Sequence, residues 1–121
     1  MEPIIEVAAL LPERPVAALA GADQVVIVRL TDERVFAVGQ HDPFSGANVM
    51  ARGIVGSVLR DGEEIPTLQS PLYKQAFDLR TGEALGDVPA SLGTWAVSVV
   101  DGVVLLGDRE AAARPVEEKA S

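Results

Sequence analysis

Two Asp-Gly pairs, Asp61-Gly62 and Asp101-Gly102, constrain this chain more than any other feature. Each lies between two short runs of strand-forming residues: 55–59 and 64–68 around the first, 94–100 (TWAVSVV) and 103–106 around the second. An Asp-Gly pair suits a two-residue hairpin, because that turn needs left-handed backbone at both central positions. Two such hairpins in 121 residues predict an antiparallel, all-β protein. Pro66 falls inside the returning run 64–68, where its missing N–H predicts an interruption.

The remaining segments read in the same way. Residues 24–30 (QVVIVRL) give the strongest strand signal in the chain. A turn at 31–34 leads to a return strand at 35–38, and Gly21-Ala22-Asp23 is the turn before it. Residues 14–20 extend, with Pro15 confined to the strand start, and residues 4–8 suit an edge strand closed by Leu10, Leu11 and Pro12. Phe77 and Leu79 alternate with polar neighbours, and Thr81-Gly82 supplies the turn that follows. Two segments lack strand period. Residues 40–56 contain Pro43, Gly46, Gly53 and Gly56 and read as a long loop with at most one helical turn at 48–52. Residues 69–74 form a second, proline-stiffened loop. From Asp108 onward the chain is charged and alanine-rich, with Pro115. The expectation is a small antiparallel β sandwich over residues 1–107, followed by an irregular or short helical tail over 108–121. Aromatic residues make up only 4 % of the chain, so Val, Ala and Leu must fill the core.

Several functions are disfavoured at once. A net charge of −8 makes nucleic acid and anionic membranes poor partners, since phosphate binding needs clustered Lys and Arg. No cysteine is present, which removes disulfides and thiolate chemistry and fits a reducing compartment. The longest apolar run, 16–22, is too short to span a bilayer, and the first residues lack the basic start of a secretory signal. The expected location is the cytoplasm. The single histidine, His41, sits in a loop without a nucleophile motif. Ser45, Ser57 and Ser70 lack a nucleophile elbow, Glu63-Glu64 follow a hairpin turn, and the glycines match no phosphate-binding loop. Trp95 reads as core. No catalytic residue is expected.

The two loops carry a resemblance. The second reads Ser70-Pro71-Leu72-Tyr73-Lys74-Gln75-Ala76-Phe77-Asp78, then Thr81-Gly82. It resembles the second cluster-binding loop of Rieske iron–sulfur domains: Cys-Pro-x-His-Gly, a few residues, Phe-Asp, then Thr-Gly. The first reads Asp42-Pro43-Phe44-Ser45-Gly46 and resembles their first loop, Cys-Pro-His-x-Gly. Asp42 and Ser70 stand at the cysteine positions, Phe44 and Tyr73 at the histidine positions. A Rieske centre needs two thiolates and two imidazoles, so no cluster can form on these four residues. One carboxylate and two weak oxygens (Asp42, Ser70, Tyr73) are also too little for a hard cation.

The small subunits of assimilatory NAD(P)H-dependent nitrite reductase share the substituted pattern. They show Asp-Pro-Phe in the first loop and Ser-Pro-Leu-x-Lys-Gln-x-Phe in the second. Ala51-Arg52-Gly53 is similar to the Ser-Arg-Gly of that family, and Val99-Val100-Asp101-Gly102-Val103-Val104-Leu105-Leu106 to its closing hairpin. The resemblance implies a Rieske-like sandwich without cofactor. It also implies a large catalytic partner subunit that carries FAD, an iron–sulfur cluster and sirohaem and reduces nitrite to ammonium. Phe44 and Tyr73 are expected to fill the space of the lost cluster by packing on each other with Pro43 and Pro71, or to form a docking face. Phe44, Arg52, Tyr73 and Lys74 are the candidate interface residues. Two other readings stand beside this one: a cluster-free ferredoxin-like module of another oxygenase or reductase, and a stand-alone β-sandwich ligand-binding protein.

Overall fold

The structure, a computed structural model, describes residues 1–116. Nine strands make up nearly half of it: β1 (Glu2–Glu6), β2 (Val16–Ala20), β3 (Asp23–Arg29), β4 (Val35–Gly39), β5 (Ile54–Arg60), β6 (Glu63–Gln69), β7 (Ala76–Asp78), β8 (Thr94–Val100) and β9 (Val103–Ala111). Val7–Ala9 and Met50–Arg52 are single 3₁₀ turns. The strands form a six-stranded sheet of order β1-β9-β8-β4-β3-β2 and a three-stranded sheet of order β5-β6-β7. The strand pairs are antiparallel throughout, as the Asp-Gly pairs require. Asp61 and Asp101 take φ of 52° and 50°, and Gly62 and Gly102 both take 78°, the left-handed pairs of a type I′ turn.

The run QVVIVRL becomes β3, which is buried on both faces. Val26 and Val28 look toward the three-stranded sheet, into a core with Met50, Leu68, Phe77, Leu79 and Leu92. Val25 and Ile27 look the other way, into a second core with Leu10, Ala37, Trp95, Val104 and Leu106. Period-2 alternation thus feeds two cores from one strand, and each fully buried Val, Leu or Phe contributes roughly 1.5–3 kcal/mol.

Two expectations are corrected. Pro66 does not interrupt β6, which runs unbroken from Glu63 to Gln69. Its carbonyl accepts a hydrogen bond from the Leu79 N–H at 2.9 Å, on the β7 side. The N–H and C=O of one residue point to the same side of a strand, so the missing donor falls just past the end of β7. Nor does irregular chain begin at Asp108. β9 continues to Ala111, paired with Thr94 and Trp95, and no helix lies in 108–116. The charged side chains of Asp108, Arg109 and Glu110 face solvent while their backbone stays in the ladder. Arg109 covers the Trp95 ring at 4.8 Å and pairs with Asp23 at 3.3 Å. Arg114 then exchanges two 2.9 Å backbone hydrogen bonds with Ser91. Residues 117–121, the end of the expected tail, lie outside the described residues.

Candidate functional site

The first loop, residues 40–49, leaves β4; the second, residues 70–75, joins β6 to β7. Both are built on the same device. In the first, the Asp42 carboxylate oxygen Oδ1 accepts from the Phe44 N–H at 2.9 Å. In the second, the Ser70 hydroxyl accepts from the Leu72 N–H at 3.3 Å. A short polar side chain that bonds its own backbone two residues on fixes a turn. Further bonds close each loop: Asp42 N–H to the Ala47 carbonyl at 2.9 Å, Gly46 N–H to the Asp42 carbonyl at 2.8 Å, and Ser70 N–H to the Gln75 carbonyl at 2.9 Å. His41 caps the base of the first loop, with Nδ1 2.9 Å from Asn48 Oδ1.

The loops then meet. Ser70 Oγ donates to Asp42 Oδ2 at 2.6 Å. Asp42 is fully buried and Ser70 is 1 % exposed. The separation lies in the range of a strong hydroxyl-to-carboxylate bond. Two donors on the carboxylate, from Phe44 and Ser70, offset the cost of burying it. Both residues stand at cysteine positions of the Rieske pattern, and each answers the other's hydrogen bonding.

The two histidine positions diverge. Phe44 is half-buried and turns inward, its ring centroid 6.0 Å from that of Phe77 at an interplanar angle of 54°. Tyr73 is 65 % exposed. The expected mutual packing of Phe44 and Tyr73 is therefore not formed: Phe44 finds a buried ring below it, while the turn at Pro71 and Leu72 swings Tyr73 outward. Leu72 and Ile54 are also exposed apolar side chains. Arg52 and Lys74 are exposed, and neither forms an ion pair among the described residues. Lys74 occupies the position of the glycine in Cys-Pro-x-His-Gly and keeps a glycine-like φ of 57°. Its carbonyl accepts from the Gln69 side-chain amide at 3.2 Å.

Gly53 holds the loops close. A Cβ there would lie 2.2 Å from the Gln69 carbonyl oxygen, so only glycine lets the start of β5 pass the end of β6. Behind the second loop, Asp78 explains the Phe-Asp and Thr-Gly elements. Its carboxylate accepts from the Arg80 N–H at 2.8 Å and from the Arg80 guanidinium at 3.0 and 3.1 Å, and its carbonyl accepts from Gly82 N–H at 2.7 Å. Hydrogen bonds that Arg80 donates to Asp78, and then to Glu63, raise its pKa further above its already high value. Sequence reasoning missed this triad and the Asp42–Ser70 bond. Among the described residues no group of three His, Asp or Glu side chains is placed to hold a metal ion.

An antiparallel two-sheet sandwich whose paired, proline-bearing loops have lost every cluster ligand defines a cluster-free Rieske-like domain. The profile of the Rieske-like [2Fe-2S] domain family matches residues 1–107. The nitrite reductase (NADH) small subunit of Escherichia coli K12 is 39 % identical over 98 residues, which cover 80 % of this chain and 87 % of that protein. The solution structure of Escherichia coli NirD superposes with a TM-score of 0.74 at 34 % identity, covering 92 % of this chain and 96 % of that one. A stretch of the Klebsiella oxytoca nitrite reductase [NAD(P)H] large subunit is 33 % identical over 111 residues. That match takes in 92 % of this chain but spans only 11 % of the large subunit's length. The chain belongs to the Rieske-like domain family and, within it, to the small subunits of NADH nitrite reductase.

Proposed function

We propose that this chain is the cofactor-free small subunit of an NAD(P)H-dependent nitrite reductase. It supports a large catalytic subunit that reduces nitrite to ammonium in nitrate assimilation, in the cytoplasm. FAD, the iron–sulfur cluster and sirohaem are carried by that partner. The small subunit supplies binding surface rather than electron transfer, because it has no cysteine and no imidazole at either histidine position.

The loop tip carries this reading. Asp42 and Ser70 satisfy each other, Phe44 braces the tip from beneath, and Tyr73, Leu72, Arg52 and Lys74 are left in solvent. An exposed aromatic with cations that form no ion pair among the described residues is the composition of a docking face, with an anchor at the centre and charge at the rim. The Klebsiella oxytoca relative adds support, since there a similar stretch lies within the large-subunit polypeptide itself.

The test uses purified chains. This chain alone should be colourless, take up no iron on anaerobic cluster reconstitution, and turn over no nitrite with NADH or NADPH. Mixed with a large subunit, it should co-elute. Stoichiometric iron with visible absorbance, or turnover by the chain alone, would overturn the reading.

A further inference from the structure

β5 is the edge of the three-stranded sheet and pairs only with β6. The register shows which way its backbone groups point. Pro66 and Ser70 bond toward the β7 side, through Leu79 and Gln75. Backbone direction alternates along a strand, so the even-numbered residues of β6 face β7 and the odd-numbered ones face β5. Gly56 pairs with Thr67 and Val58 with Ile65, and these β5 residues therefore face inward. Val55, Ser57 and Leu59 direct their N–H and C=O groups away from the sheet. None of those groups is hydrogen-bonded among the described residues.

Two of the other sheet margins are guarded. β1 carries Pro3 and a register shift between Pro3 and Ile5. β2 is a free edge as well, but it is two residues shorter than β5. The outer side of β7 is covered by Glu83 and Leu85, which bond to Asp78 and Ala76 at 2.8 and 2.9 Å. β5 has seven residues, no proline and no bulge, and its single charge, Arg60, sits at its last position, so Val55 to Leu59 lack the devices that normally keep an edge from pairing.

A groove of about 240 Å³ opens beside this edge, where the two sheets part. Gly56 and Ser57 line one side, Leu30 and Thr31 the other. Its charged groups are Glu13, Asp32, Glu64 and Arg34. Asp32 and Arg34 neutralise each other at 3.0 Å. Glu13 and Glu64 form no ion pair among the described residues. The groove thus combines an unpaired strand edge with two carboxylates that form no ion pair among the described residues.

We propose that the free edge of β5 takes an extended, lysine- or arginine-bearing segment of the large subunit as an added strand. Main-chain bonds to Val55, Ser57 and Leu59 would hold the segment, and Glu13 and Glu64 would select its charge. A second copy of this chain fits less well, because it carries a net charge of −8 and would bring the same carboxylates. The inference rests on the proposed function, which supplies the partner.

Amide hydrogen exchange of this chain, free and in complex with the large subunit, tests it. The Val55, Ser57 and Leu59 amides should exchange fast in the free chain and become protected in the complex. Those of Gly56 and Val58, already bonded to β6, should be slow in both. Ser57→Pro removes an outward N–H and spares the β6 ladder. It should weaken binding by about tenfold or more with little change in denaturation midpoint, while Ser57→Ala binds like wild type. Glu64→Lys should also weaken binding, most at low salt. If Ser57→Pro does not fold, exchange in the wild-type complex decides alone. A complex that leaves the three amides fast overturns this inference and spares the proposed function; absence of any complex overturns both. Protection of the same amides by self-association, without the large subunit, assigns the edge to a second copy and overturns the proposal.

Discussion

Ser70 Oγ lies 2.6 Å from Asp42 Oδ2, a bond between residues 28 positions apart that ties the two loops together at their roots. In a cluster-bearing relative of this fold, metal would bridge these positions. Here the hydroxyl donates, the carboxylate accepts, and both are buried. Ser70→Ala should destabilise the fold by about 1–3 kcal/mol, because it leaves a buried carboxylate short of a donor. Asp42→Ala should be at least as damaging, since Phe44 N–H also loses its partner. The double variant should lose less than the sum of the singles, with a coupling of about 0.5–3 kcal/mol. Urea denaturation of the four proteins measures it; strict additivity would mean that the contact does not hold the loops.

Phe44 and Phe77 should separate by burial. Phe77 is fully buried, and Phe77→Ala should cost about 3–5 kcal/mol. Phe44 is only half-buried, and Phe44→Ala should cost less, roughly 2–3 kcal/mol, scaled down from the same range. If Phe44→Ala left the midpoint unchanged, the inward brace of the tip would be discredited.

Lys74 adopts a φ of 57° without being glycine, a conformation that costs an L-residue roughly 1–2 kcal/mol. Lys74→Gly should therefore raise stability, by about 1 kcal/mol at most after the entropy of glycine is counted. The same change should slow association with the large subunit, most at low salt, because rim charges steer encounter. Stopped-flow binding and thermal melts on one preparation read both effects; a destabilised variant would contradict the strain.

Gly53→Ala tests the crowding between the loops. Gly53 has φ −79°, so conformational freedom is not what it supplies. The clash with the Gln69 carbonyl should cost about 1–3 kcal/mol, as overpacking does. An unchanged melt would show that β5 and β6 can part at no expense.

The strands were legible in the sequence because their signals are local. QVVIVRL announces a strand, and each Asp-Gly pair fixes its hairpin. Pro66 misled because its tolerance depends on where β7 stops, which no local pattern records. The charges of Asp108 to Glu110 misled because they describe side chains, while Thr94 and Trp95 hold the backbone. At the site, the four substituted positions could be read by pattern, but their pairing could not. Asp42 and Ser70 meet only once the loops approach, and Phe44 chooses Phe77 over Tyr73 because burial, not sequence distance, sets its neighbour. Each polar residue precedes a proline in a loop, and that was the one available hint of the bond.

The most direct measurement is a titration of the large subunit with wild-type chain and with Tyr73→Ala, alongside denaturation midpoints for both. Tyr73 is 65 % exposed, so its removal should change stability by no more than about 0.5 kcal/mol. As the anchor of the docking face, it should contribute at least ~2 kcal/mol to binding. A large loss of affinity with an unchanged midpoint is the expected result. A Tyr73→Ala chain that binds the large subunit like wild type would contradict the docking role of the loop tip.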